Sequence, residues 1–167
     1  MKNILILGGH SKNNILWVKE MEKLFSNDYN VNIIKYDHWN SNEEINFETE
    51  LSKIINIKDI DIVLAKSIGI LVTVKALKQN IINPEKIVFM GYPLEALKAD
   101  NIDIKDYIIE VNNNNITLIQ QTNDPQGSFK EINNLFNDQI SVIEINGNNH
   151  FYDDYQNLKV TIDNIIK

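Results

Sequence analysis

The chain has 167 residues, 43% hydrophobic and 23% charged, a globular composition at single-domain length that excludes wholesale disorder. Its formal charge is −7 and all 16 basic residues are lysines; with no arginine and no basic excess, no nucleic-acid partner and no polybasic membrane attachment are expected. There is no cysteine, which removes disulfides, thiolate zinc sites and cysteine nucleophiles.

The first apolar run, Ile4 to Leu7, ends at Gly8-Gly9 and reads as a strand. It is too short for a signal peptide, and no stretch reaches the roughly 20 apolar residues of a membrane-spanning helix. A cytoplasmic protein is therefore expected. Lys12 to Phe25 follows with apolar residues at helical spacing, then a second strand over Val31 to Tyr36 and a second helix over Glu43 to Ile57. Ile60 to Ala65 is the third strand, Ile68 to Gln79 a largely buried helix, and Lys86 to Met90 the fourth strand, stopped by Gly91-Tyr92-Pro93. Between Leu94 and Asn115, the residues Ile102, Ile104, Tyr107, Ile108 and Val111 predict one helix, and Asn112 to Asn115 a polar loop. Ile116 to Gln120, Phe129 to Phe136, Ser141 to Ile145 and Asp153 to Ile166 complete a strand, helix, strand, helix series.

Six short apolar strands without clean polar alternation are expected to be buried on both faces, with the intervening helices as cover. The fold class is α/β: a doubly wound, mostly parallel six-stranded sheet, in one domain over residues 1–167. Ligands of such sheets sit beyond the carboxyl ends of the strands. The residues found there include Gly9 and His10 after strand one, His38 and Trp39 after strand two, and Ser67 after strand three. Tyr92 follows strand four, Asp124 strand five, and His150 with Phe151 strand six. A serine, an acid and a histidine thus fall on one sheet edge, in the order Ser67, Asp124, His150.

Ala65-Lys66-Ser67-Ile68-Gly69 has the small-x-Ser-x-small form of a nucleophile elbow. In that turn the serine adopts a strained conformation at a strand-to-helix junction, and its neighbours two before and two after must be small because strand and helix close on each other. The Ile68 amide would then face an oxyanion at a helix N-terminus. The plainer alternative is that Ser67 only caps the helix. His150 stands immediately before the last helix, and Asp124, in Asn123-Asp124-Pro125, could accept its Nδ1 proton or simply serve a turn.

With these segments the chain resembles the α/β-hydrolase superfamily, in particular its small lidless serine hydrolases. The resemblance runs through Leu7-Gly8-Gly9-His10, Ala65-Lys66-Ser67-Ile68-Gly69, Gly91-Tyr92-Pro93-Leu94, Asn123-Asp124-Pro125 and Gly147-Asn148-Asn149-His150-Phe151. It implies strand order 2-1-3-4-5-6, and a catalytic triad of Ser67, Asp124 and His150. It also implies an oxyanion hole from the amides of Ile68 and of His10 or Gly9, where Gly8-Gly9 replaces the more familiar His-Gly. The expected reaction is hydrolysis of small or exposed carboxylic esters or thioesters through an acyl-enzyme.

The short segment 94–115 leaves no lid domain, so the site should be open and shallow, with Tyr92, Trp39 and Phe151 as rim aromatics. No cofactor is expected, and three scattered histidines give no metal spacing. His10 is a competing base and Glu95 a competing acid. The Lys66 ammonium, next to Ser67, could enrich anionic substrates near the site; the plainer expectation is that it points into a neighbouring loop, solvated or paired. Two other classes remain: a catalytically weak hydrolase-fold interaction protein, and a Rossmann-like or flavodoxin-like nucleotide binder. Against the last, Gly8-Gly9-His10-Ser11 lacks the third glycine of the dinucleotide fingerprint.

Overall fold

The computed structural model describes residues 1–41, 43–113 and 115–167. Of the polar tetrapeptide 112–115, Asn114 lies outside the described residues. Five parallel pairings build one six-stranded sheet in the order β2-β1-β3-β4-β5-β6, from β1 (Asn3–Leu7), β2 (Asn30–Ile34), β3 (Ile62–Lys66), β4 (Lys86–Met90), β5 (Ile116–Gln121) and β6 (Ser141–Ile145). Helices α1 (Asn14–Phe25), α2 (Phe47–Ile55), α3 (Ile68–Lys78), α4 (Leu94–Ala99), α5 (Lys105–Val111), α6 (Phe129–Phe136) and α7 (Tyr155–Ile166) cover both faces. The apolar runs explain this layering. Every residue of β3 is buried, whereas the edge strands β2 and β6 are only partly so. A strand covered on both faces has no need of alternating polar positions.

Two helices depart from the pattern expected of the sequence. The second begins at Phe47, not Glu43, because the Asn46 side chain accepts the Thr49 amide and caps it there. The segment after β4 forms two short helices rather than one. The chain turns at Asn101, whose φ is +53°, and this left-handed residue ends the first helix before the apolar Ile102 and Ile104 dock. Tyr36 leaves β2 and is fully buried beside a 3₁₀ turn at Asp37–Asn40. Among the described residues no helix is long and apolar enough to cross a membrane.

The order of the strands places the carboxyl ends of β1, β3 and β4 side by side. The turn after β3 is thus central, between the loop after β1 and the loop after β4.

Candidate active site

Ser67 occupies the turn between β3 and α3 with φ 53° and ψ −118°. A non-glycine residue rarely sits there, and holding it costs about 1–3 kcal/mol, which the surroundings must offset. They do so on both sides: the Ser67 amide donates to the Met90 carbonyl at 3.0 Å, and its carbonyl accepts from the Ile70 amide at 2.9 Å. The hydroxyl makes no capping hydrogen bond to α3, so the helix-cap role does not account for this serine. The steric demand of the turn is visible at Gly69. A Cβ there would lie 2.7 Å from the Leu7 carbonyl oxygen and 2.9 Å from that of Gly8. Ala65, two residues before the serine, is fully buried.

His150 is held from one side only. Its Nδ1 donates to Asp124, 2.9 Å from Oδ1 and 2.8 Å from Oδ2. Nδ1 must therefore carry the proton, leaving Nε2 as the acceptor in the neutral ring. Nε2 is buried and has no hydrogen-bond partner among the described residues. Ser67 and His150 line the same cleft, but no hydrogen bond joins the Ser67 hydroxyl to the ring. The Asp124 side chain is fully buried and accepts two further donors, the Tyr152 hydroxyl at 2.8 Å and the Gln126 amide at 2.8 Å.

The loop carrying the histidine is pinned at several points. Gln121 Oε1 accepts the Asn149 amide at 2.9 Å, and the Trp17 indole donates to the Tyr152 carbonyl at 3.0 Å. Tyr152 accepts the Gln121 amide on its hydroxyl at 3.0 Å while donating to Asp124. Burial raises the Tyr152 hydroxyl far above the usual phenol range, with the Asp124 charge adding to it. Gly91, at φ +63°, lets the loop close over β4: a Cβ there would lie 2.7 Å from the Tyr152 ring and 3.0 Å from His150 Cε1.

The loop after β1 brings Gly9 and His10 to the cleft. Two side chains from the 3₁₀ turn fix its carbonyls. Trp39 Nε1 donates to the Gly9 and His10 oxygens at 3.2 and 3.1 Å, and His38 Nε2 to the His10 oxygen at 2.7 Å. The His10 and His38 rings stack with centroids 4.7 Å apart. Among the described residues, no three histidine or carboxylate groups stand together as metal ligands. Glu95 pairs instead with Lys98 at 2.8 Å on the exposed face of α4.

The cleft has a volume of about 820 Å³. Its lining includes Ile45 and Phe47, before and at the start of α2, and Leu97 with Ile102 from the segment after β4. The rim aromatics divide. Phe151 is exposed and lines the cleft. Tyr92 is not at the rim: it is 2% exposed and packs edge-on against Phe136, with centroids 5.4 Å apart. Trp39 is also buried and supports the loop after β1 from behind, because its indole N–H needs an acceptor and finds two backbone carbonyls.

Lys66 departs from expectation as well. It is neither solvated nor ion-paired: it is 3% exposed, lines the cleft, and donates to Asn14 Oδ1 at 2.9 Å. Its ammonium lies 5.3 Å from the centroid of the Trp17 ring. Burial lowers its pKa to about 8, against the opposing charges of Asp124 and Asp153. The Asn14 amide group in turn donates to the Ser11 carbonyl at 2.9 Å. Asn14 and Tyr152 are thus neighbours of the candidate site that motif reading did not assign, and neither carried a signal; Lys66 was marked by its place next to Ser67, but not its burial.

No protein-family model matches the chain, and no curated protein does. Solved structures do resemble it. The ydeN gene product from B. subtilis superposes with a TM-score of 0.65 at 14% identity, covering 99% of this chain and 98% of that one. Alpha/beta hydrolase domain-containing protein 10 from mouse gives 0.68 at 13% identity, covering 98% and 89%. An uncharacterized protein from Bacillus cereus ATCC 10987 gives 0.71 at 13% identity; 99% of this chain spans 60% of its length. Together with the strand order, these likenesses show that the chain has the α/β-hydrolase fold.

Proposed function

We propose that the protein is a serine hydrolase acting on carboxylic esters or thioesters, with Ser67 as nucleophile, His150 as general base and Asp124 as the acid that orients it. The observation that carries this reading is one conjunction. A serine in a left-handed strand-to-helix turn, its hydroxyl unused in capping, shares a cleft with a histidine whose Nδ1 is committed to a buried aspartate. The resemblance of the fold to a protein described as an α/β-hydrolase supports the same class.

In the reaction, Ser67 Oγ bonds to the substrate carbonyl carbon as its proton passes to His150 Nε2. The resulting oxyanion meets the amide of Ile68, at the start of α3 where helix amides lack internal partners, and that of His10 or Gly9. Collapse breaks the bond to the leaving oxygen or sulfur, which takes the proton from His150. Water then attacks the acyl-serine with the same base and releases the acid. The Asp124 carboxylate, hydrogen-bonded to Nδ1, steadies the imidazolium while it exists. The apolar walls of the cleft suit an acyl chain rather than a polar headgroup.

A fluorophosphonate probe tests the nucleophile directly. Labelling should occur at Ser67, as read by peptide mass spectrometry, and vanish in Ser67→Ala along with p-nitrophenyl ester hydrolysis. A folded protein that the probe never modifies is an interaction module on this fold and not an enzyme of this class.

A further inference from the structure

Lys66 has no place in the acyl-transfer steps, yet it is the residue next to the nucleophile and a buried cation in the cleft wall. Its ammonium carries three donors, and one is spent on the uncharged Asn14 amide. Among the described residues, no carboxylate lies within ion-pairing distance of it, whereas Lys53 has both Asp37 and Glu50. Asp124, the buried acid of the site, is occupied by His150, Tyr152 and Gln126. Asp124 and Asp153 act on the ammonium only from beyond ion-pairing distance; a buried ammonium without a directly paired counter-charge is unfavourable, and a partner that supplies one relieves it.

Apolar side chains dominate the same wall, among them Leu16, Trp17, Ile45, Ile68 and Leu71. Three carboxylates also line the cleft, Glu44, Asp100 and Asp153, but all three are exposed to solvent. Solvated rim charges are screened and repel anions only weakly, whereas the buried cation is not screened in this way.

Resting on the serine-hydrolase reading, we propose that Lys66 binds a carboxylate carried by the acyl group, so that the preferred substrates are hemiesters or hemithioesters of dicarboxylic acids. The acyl group is the part concerned because it is bonded to Ser67 after the leaving group has gone, and so stays beside Lys66 through both half-reactions. The apolar walls hold the methylenes between its two ends.

The test compares p-nitrophenyl hemiadipate with p-nitrophenyl hexanoate, which has the same carbon count and no charge. Wild-type kcat/KM should favour the hemiadipate by about 10- to 100-fold, the range of one charge-assisted hydrogen-bonded contact. The ratio should fall as pH rises through about 8, where Lys66 loses its proton. The other titratable groups lining the cleft are His10, His150, Glu44, Asp100, Asp153 and Tyr155, with Asp124 behind His150; the pH dependence that belongs to Lys66 is the part that Lys66→Met removes. In Lys66→Met the preference should collapse, with the hemiadipate value falling further than the hexanoate value. A wild-type enzyme that labels with the fluorophosphonate but prefers hexanoate, or a ratio indifferent to pH, overturns the Lys66 assignment alone. Equal losses on both esters in Lys66→Met also overturn it, and make Lys66 a positioning residue for the loop after β1 through Asn14. A protein that does not label at all overturns the serine reading and this inference with it.

Discussion

The Tyr152 hydroxyl donates to Asp124 Oδ2 at 2.8 Å, one of the two carboxylate oxygens that His150 Nδ1 also reaches. Because the tyrosine also accepts the Gln121 amide, it ties the end of β5 to the histidine loop and fixes where the acid points.

Tyr152→Phe removes that tie without changing the ring. It leaves a buried N–H at Gln121 unpaired and Asp124 with one donor fewer. The expected effect is a stability loss of about 1–3 kcal/mol, read as a lower urea midpoint at unchanged slope. Ester turnover should drop mainly in kcat, since His150 loses its fixed orientation before substrate contacts change. An unaltered kcat would show that the Gln126 amide alone holds the carboxylate.

Ser67→Gly separates function from fold. The serine sits at φ 53°, where glycine is unstrained. The variant should therefore be as stable as the wild type or more so, by about 1 kcal/mol, while losing all esterase activity and fluorophosphonate labelling. Thermal unfolding of the pair checks the first part. A clear loss of stability would mean that the hydroxyl contributes contacts the turn depends on.

These positions were unequally legible in the sequence. Ser67, Asp124 and His150 are marked by their place after strands, because a parallel sheet sends every strand end to one edge and the intervening helices fix the order. Gly69 follows the same logic, since strand-to-helix closure is a local steric rule. Tyr92 and Trp39 were misplaced because an aromatic after a strand can turn outward or inward, and only the helices packing around it decide. Phe136 on α6 claims Tyr92, and the carbonyls of the loop after β1 claim Trp39. Asn14 and Tyr152 act through partners 52 and 28 residues away, Lys66 and Asp124, a separation that carries no periodic signal.

Gly69→Ala tests the elbow from its far side. The added Cβ would press on the backbone carbonyls of Leu7 and Gly8, and backbone at the end of an inner strand cannot move aside as a flexible side chain can. Overpacking of this kind typically costs about 1–3 kcal/mol. Relief by tilting α3 would shift Ile68 and its amide, so activity should fall more steeply than stability. Hydrolysis rates and unfolding midpoints on the same preparation distinguish this from general destabilisation.

Lys66 also makes a prediction about stability that needs no substrate. In the unfolded chain its pKa is near 10.5, and in the folded protein burial lowers it to about 8. Below about pH 8 the folded state must bury a charged ammonium; between there and 10.5 the unfolded chain holds more protons than the folded one, so this group makes stability rise with pH. Replacing it by methionine, of similar length and uncharged, should stabilise the protein at pH 7 by up to about 3 kcal/mol. That advantage should shrink steadily as the pH is raised towards 10. The buried tyrosines run in the opposite direction. Tyr36, Tyr92 and Tyr152 are held neutral by burial, with their pKa values raised, so their contribution is complete below about pH 10 and is lost above it. Both proteins share them, and the difference between wild type and Lys66→Met at each pH removes their contribution. Urea unfolding of the pair from pH 6 to pH 9.5 therefore isolates the lysine, and a pH-independent difference would mean that Lys66 is solvated in the folded state.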